Sequence, residues 1–321
     1  MRGKKPYPEY RTYEQLKISP SLLSQNFPRP TFRNDEHYYP LNELLQRHFA
    51  SEDESRKFGA ATFCGFLEDT IEVEHNLVIP AVACLSHLPY DIPLKAEQDL
   101  YQTATDEGFH AEQALQFVGD LRSHFALTRA EEYRIPLFLR RLEDQRSAEG
   151  KPFYRDLITV LNGVVTETRI SVELSRFAAN AFLCESVREV CRTHADDEKI
   201  HASQFRALGE WLWSEFDEPT RAAAAGFISA STVARSLPDV ERMAYFFHQA
   251  TGRSHVDSKK LVYSVYTADV LIEELLLAAR PTILFIGTLG VDEYLPFSSA
   301  IEQERAKLHL QLAEMARELD V

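Results

Sequence analysis

Two segments of the chain share one pattern. Residues 105–110 read Thr-Asp-Glu-Gly-Phe-His, and residues 196–201 read Asp-Asp-Glu-Lys-Ile-His. Both contain Asp-Glu-x-x-His, with Glu107 and His110, and Glu198 and His201, three residues apart. On a helix, residues at i and i+3 are neighbours, so each pair can grip one metal ion. A single Glu-x-x-His is a weak signal, because charged helices produce it by chance. Two copies, each placed on the apolar stripe of a long helical pattern, restrict the fold to one that brings two such helices together.

The stripes are read from period. Phe63, Leu67, Thr70, Leu77 and Ala81 fall on one helical face over about 51–87, and Glu74 fills the missing position of that face. Pro80 lies inside this pattern and is a candidate kink. Over about 93–125, Leu100, Thr103, Ala114, Phe117 and Leu121 share a face with Glu107 and His110. Over about 152–179, Leu157, Val160, Val164, Ser171 and Leu174 share one with Glu167. Over about 185–216, Val187, Cys191, Phe205, Leu208 and Leu212 lie with His194, Glu198 and His201. A shorter helical region is expected over about 128–148, broken near Pro136. Further helices are expected at about 219–235, 238–250, 257–287 and 295–318.

A carboxylate on an apolar face is costly unless it is paired or metal-bound. One Glu from each of two helices plus a Glu-x-x-His from each of two others is the di-iron carboxylate pattern of helical bundles. His194 adds a third imidazole, since His194, Glu198 and His201 stand at i, i+4 and i+7 and project along nearly one line. The candidate ligands are therefore Glu74, Glu107, His110, Glu167, His194, Glu198 and His201. Glu72 is the weaker choice on its helix, because Gly65, Asp69 and Asn76 mark its face as polar. Histidine and carboxylate donors suit iron, with manganese the usual competitor. Asp106 and Asp197 each precede a ligand Glu. Asp106 is placed to accept a hydrogen bond from His201, and Asp197 from His110, which would fix the imidazole tautomers. The alternative for both is a solvated surface aspartate.

Composition agrees with long helices. The chain has 321 residues and only 12 glycines, where average usage would give roughly 22. That shortage argues against glycine-rich phosphate loops and turn-dense β folds. The charge balance is 35 − 49 = −14, which makes nucleic acid or an anionic membrane a poor partner. Four cysteines without a CxxC spacing form no disulfide framework. The basic start lacks an apolar segment after it, and apolar stretches are interrupted before about 18 residues, so neither a signal peptide nor a membrane span is expected. These features fit a soluble, cytoplasmic, all-α protein. We expect an extended Pro- and aromatic-rich arm over 1–39, with the partly disordered terminus as the alternative. A single ferritin-like helical bundle with extra C-terminal helices is expected over 40–321.

The ligand order Glu74, Glu107-x-x-His110, Glu167, His194-x-x-x-Glu198-x-x-His201 resembles the di-iron N-oxygenases typified by p-aminobenzoate N-oxygenase, over roughly residues 55–215. The histidine four residues before the last ligand Glu separates that family from ferritins and from ribonucleotide reductase small subunits. The resemblance implies two iron ions, O2 as co-substrate, and oxidation of an amine nitrogen through hydroxylamine toward nitroso or nitro products. It also implies a small-molecule amine substrate; an external electron donor is expected because no flavin or nicotinamide fingerprint appears, and a homodimer because it is common for such folds. Metal ligation is carried over onto the seven positions; catalytic residues beyond the ligands are not.

Phe66, two turns before Glu74, and Ser171, one turn after Glu167, face the expected cavity, with core packing the competing reading for Phe66. Over 257–287, Tyr266, Asp269 and Glu273 form an acidic stripe. It reads either as a solvated face or as an attractor for a cationic amine or guanidino substrate. Competing functions for the same residues are a di-iron C-hydroxylase or desaturase, a radical-generating subunit, and a non-enzymatic iron-binding bundle.

Overall fold

The computed structural model describes residues 6–12, 28–129 and 131–318. Helix is the only regular secondary structure among the described residues, with no strand. The elements are α1 (Glu43–Gln46), α2 (Glu52–Val73), α3 (Ile79–Cys84), α4 (Leu94–Phe125), α5 (Leu137–Ala148), α6 (Pro152–Ala179), α7 (Glu185–Glu215), α8 (Glu218–Ser236), α9 (Val240–Thr251), α10 (His255–Val265), α11 (Ala268–Leu289) and α12 (Phe297–Glu318).

Local chemistry sets several boundaries. Ser51 caps α2 by accepting from the Glu54 amide, and Asp217 caps α8 by accepting from the Thr220 amide. Pro136 precedes α5 and Pro152 opens α6, where a missing N–H is harmless. α2 runs into α3 through a π-helical turn, Glu74–Val78, in which the Ile79 amide reaches back to the Glu74 carbonyl. Pro80 follows at once. Its ring crowds the preceding turn and it has no N–H to donate, and a widened turn relieves both. The sequence-predicted kink is thus this wide turn, and it begins at Glu74.

α2 packs on α4, α6 packs along α7, and α4 meets α7, so four long helices enclose one axis. Phe63, Leu67, Thr70, Glu74, Leu77 and Ala81 are all buried along α2, the π turn and α3. Leu100, Thr103, Glu107, His110, Ala114 and Phe117 are buried along α4. α8 lies against α5, α6 and α11, and α9 lies on α2. Arg242 of α9 is buried and fixes that contact, donating to the Gly65 carbonyl at 3.2 Å and to Glu68 at 2.9 Å and pairing with Asp69.

The expected 257–287 helix is two helices. Tyr266 ends α10 with φ −90° and ψ 77°, and Thr267, extended, caps α11 by accepting from the Val270 amide. The Thr267 cap, with Asp269 in the first turn, is a helix start signal. The apolar period on either side masks it. In the segment expected as an arm, Tyr7 packs on Trp211 with ring centroids 5.7 Å apart, Tyr10 donates to Asp99 at 2.7 Å, and Phe32 stacks on His124. Residues 1–5 and 13–27 of that segment lie outside the described residues. Among the described residues no helix is long and apolar enough to cross a membrane.

Gly163 of α6 marks a close helix crossing. A Cβ there would sit 2.6 Å from the Ala81 Cβ and 3.1 Å from the Phe205 ring. Gly163→Ala should therefore destabilise the protein by roughly 1–3 kcal/mol, one turn from Glu167, as read from a denaturant titration. An unchanged midpoint would mean the helices separate freely at this crossing.

Candidate metal centre

Glu74 comes from the π turn, Glu107 and His110 from α4, Glu167 from α6, and His194, Glu198 and His201 from α7. All seven side chains are buried, and the four glutamates have no exposed surface. Their donor atoms fall into two overlapping groups that could each hold one ion. The first is Glu74, Glu107, His110, His194 and Glu198; the second is Glu107, Glu167, Glu198 and His201. Glu107 and Glu198 belong to both and are the natural bridges. Glu74, His110 and His194 belong only to the first, and Glu167 and His201 only to the second. One position is therefore richer in nitrogen than the other.

The distances are those of a collapsed ligand set. His110 Nδ1 lies 2.8 Å from Glu107 Oε2, His194 Nε2 lies 2.9 Å from Glu198 Oε1, and His201 Nδ1 lies 2.9 Å from Glu107 Oε1. His194 Nε2 is 3.9 Å from Glu74, and His201 Nδ1 is 3.9 Å from Glu167. His110 and His201 each turn Nδ1 inward and Nε2 outward. The outer nitrogen of His110 is 3.3 Å from Asp197 Oδ2, and that of His201 is 3.7 Å from Asp106 Oδ2. A carboxylate behind an imidazole orients the ring and raises its basicity toward a metal. Thr103 donates to Gln204 at 2.9 Å, tying α4 to α7 one turn from this cluster.

Burial and neighbouring charges set the protonation of the cluster. Burial, then the charges of Glu107, Glu198 and Glu167, pushes the Glu74 carboxyl well above the usual range. Burial, then Glu198 and Glu107, does the same to Glu167. Burial opposes the ionised form of Glu107 too, but the His201 charge and hydrogen bonds from His110 and His201 outweigh it and hold Glu107 at about 2. His110 is raised to about 9 because hydrogen bonds to Asp197 and Glu107 outweigh its burial. His194 is lowered by burial and by the nearby His110 charge. Both oxygens of Glu74, both of Glu167 and Oε2 of Glu198 are buried and accept no hydrogen bond among the described residues. Buried acceptors left in this way each cost free energy. Two divalent cations among four carboxylates and three imidazoles would satisfy them, so the donor set fits a two-metal centre.

A cavity of about 680 Å³ is lined by residues of the same helices α2 and α6, but none of the seven candidate ligands is among its lining. Thr70, four residues before Glu74, and Ile170, three after Glu167, line it together with Phe66. Tyr266 and Glu273 also line it, Tyr266 buried and accepting from Asn42 at 2.7 Å. The acidic stripe does not form, because the break at Thr267 interrupts its register. Asp269 turns to the outside, 73% exposed, and pairs with Arg305. Ser171 is half-buried but is not part of the cavity wall. His75 is exposed and contacts the Ile71 carbonyl, and Glu72 pairs with Arg129 at 3.3 Å, so neither joins the centre.

Sequence reasoning missed the arginines of this wall, Arg169, Arg235 and Arg242. The available signal was Arg235 in the last turn of α8, after a run of apolar and small residues from Ala222 to Ala234. A separate trio, Cys84, His87 and Asp156, lies at the bundle end, with His87 3.5 Å from Asp156. It is partly exposed. No protein-family model matches the chain, and no curated protein is significantly similar to it.

Proposed function

We propose that this protein is an O2-dependent di-iron oxygenase that transfers oxygen to the nitrogen of a small-molecule amine. The observation that carries the reading is the ligand set itself: seven buried ligand side chains from four segments, with His194 as a third imidazole. The resemblance in ligand order to di-iron N-oxygenases supplies the choice of nitrogen as the atom oxidised. The first oxidation balances as R–NH2 + O2 + 2 e⁻ + 2 H⁺ → R–NHOH + H2O, with the electrons from an external donor.

When bound, the iron pair would supply reduction of O2 and transfer of one oxygen atom. The chain's own residues have separable tasks. Glu107 and Glu198 would span the two ions. Glu74, His110 and His194 would hold one, and Glu167 and His201 the other. Asp197 and Asp106 keep His110 and His201 turned inward. Thr70 and Ile170, four and three residues from Glu74 and Glu167, line the cavity together with the charged Asp69 and Arg169.

The test is direct. Iron-loaded, chemically reduced protein is mixed with ¹⁸O2 and a panel of primary amines, and products are read by mass spectrometry. The expected result is a hydroxylamine, nitroso or nitro product carrying labelled oxygen on nitrogen. Labelled oxygen on carbon would assign the site to C-hydroxylation instead. Full iron loading with neither product would leave an iron-binding bundle.

A further inference from the structure

A second set of metal-binding side chains stands apart from the two-metal centre. Cys84 ends α3, His87 closes the 3-10 turn that follows, and Asp156 lies near the start of α6. Side chains three residues apart nearly eclipse in a 3-10 turn, so Cys84 and His87 project side by side. Each of the three residues offers one donor atom, and these atoms lie within 4.8 Å of one another. His87 Nδ1 is 3.5 Å from Asp156 Oδ2, which is wide for a hydrogen bond. Cys84 Sγ, a weak donor, is 3.8 Å from Asp156 Oδ1. Donors on one tetrahedral zinc ion, each about 2.0–2.3 Å from it, stand about 3.3–3.6 Å apart. The trio therefore has the spacing of ligands around an ion. No arginine or lysine neutralises Asp156 among the described residues, since Arg146 is held by Glu143 and Arg155 by the Glu149 carbonyl. Burial, then the Asp156 charge, raises the Cys84 thiol. An ion between the two removes that repulsion, because a coordinated thiol gives up its proton.

We propose that Cys84, His87 and Asp156 bind one divalent ion of the zinc type, separate from the two-metal centre, with the fourth position open to solvent. The donor set selects the ion. A thiolate with an imidazole and a carboxylate suits zinc, and ferrous iron stands below zinc in the affinity order. The buried centre offers only carboxylates and imidazoles, so the chain would sort two kinds of metal between two sites. The His87 side chain is 60% exposed and that of Asp156 30%, so the ion enters from water without opening the bundle. Binding releases the Cys84 thiol proton to solvent, and a water completes the tetrahedron. The bound ion joins the end of α3 to the start of α6, two helices that also cross at Ala81 and Gly163. The site is independent of the reaction at the two-metal centre.

X-ray absorption at the zinc edge isolates this site, because the iron edge lies at a different energy. Iron-saturated protein given one equivalent of Zn²⁺ should show one sulfur neighbour at about 2.3 Å, with nitrogen and oxygen neighbours at about 2.0–2.2 Å. Cys84→Ser should remove the sulfur neighbour. His87→Ala, at an exposed position, should weaken zinc binding at least about 100-fold in competition with a chelating dye. Both variants should keep the iron content of the parent. Zinc without a sulfur neighbour in the parent, or no zinc bound at all, would overturn the proposal even if Cys84→Ser did not fold. A sulfur neighbour that persists in Cys84→Ser would assign the ion to another cysteine and also overturn it. Unchanged zinc affinity in His87→Ala would do the same, since a site with only Cys84 and Asp156 is not the one proposed.

Discussion

Glu198→Ala should lose both metal ions together. Glu198 Oε1 lies 2.9 Å from His194 Nε2 and 3.5 Å from both His110 Nδ1 and His201 Nδ1, and it is common to both donor groups. No other change except at Glu107 reaches both positions. Loss of a partner merely behind a ligand weakens metal binding by about 10- to 100-fold, so loss of a shared ligand should cost at least about 100-fold at each position. Iron analysis after desalting should fall from about two per chain to near zero, with O2 consumption falling with it. Retention of one tightly bound iron would show that Glu198 serves a single ion and that the bridge is wrongly assigned.

His194→Ala should act on one position only. His194 contacts Glu198 and faces Glu74, both in the nitrogen-rich group, and it is absent from the group containing Glu167 and His201. The expected iron content is about one per chain, with amine oxidation lost because both ions are needed for two-electron reduction of O2. Iron content and activity both unchanged would remove His194 from the ligand set, and with it the feature that separates this centre from those of storage bundles. His194→Ala leaves the fold intact if helix packing rather than metal holds α7 in place. The thermal midpoint of the metal-free variant should accordingly stay close to that of the metal-free parent.

The buried cluster was legible because its glutamates and histidines obey the same period as the core. Glu74, Glu107, Glu167 and Glu198 stand where Leu or Val would otherwise stand, and a charged residue in that register is conspicuous. The two Asp-Glu-x-x-His segments are local in sequence, so their geometry follows from helical rise alone. The π turn at Glu74 was less visible. Pro80 announced a disturbance, but only the backbone shows that the turn widens by one residue and that Glu74 opens it. The cavity was read poorly for a related reason. Which residues line a cavity depends on how α8 to α11 pack, and that is a property of contacts between distant segments. Thr267 ended one helix and began another, Asp269 turned toward Arg305, and the expected acidic stripe came apart.

The central claim is that four glutamates and three histidines hold a pair of metal ions. Anomalous diffraction at the iron edge, from crystals of the iron-loaded protein, tests it most directly. The account predicts two peaks between the four helices, separated by about 3.5–4 Å. One should be enclosed by Glu74, His110 and His194, the other by Glu167 and His201, with Glu107 and Glu198 between them. A single peak, or none at these residues, would contradict it.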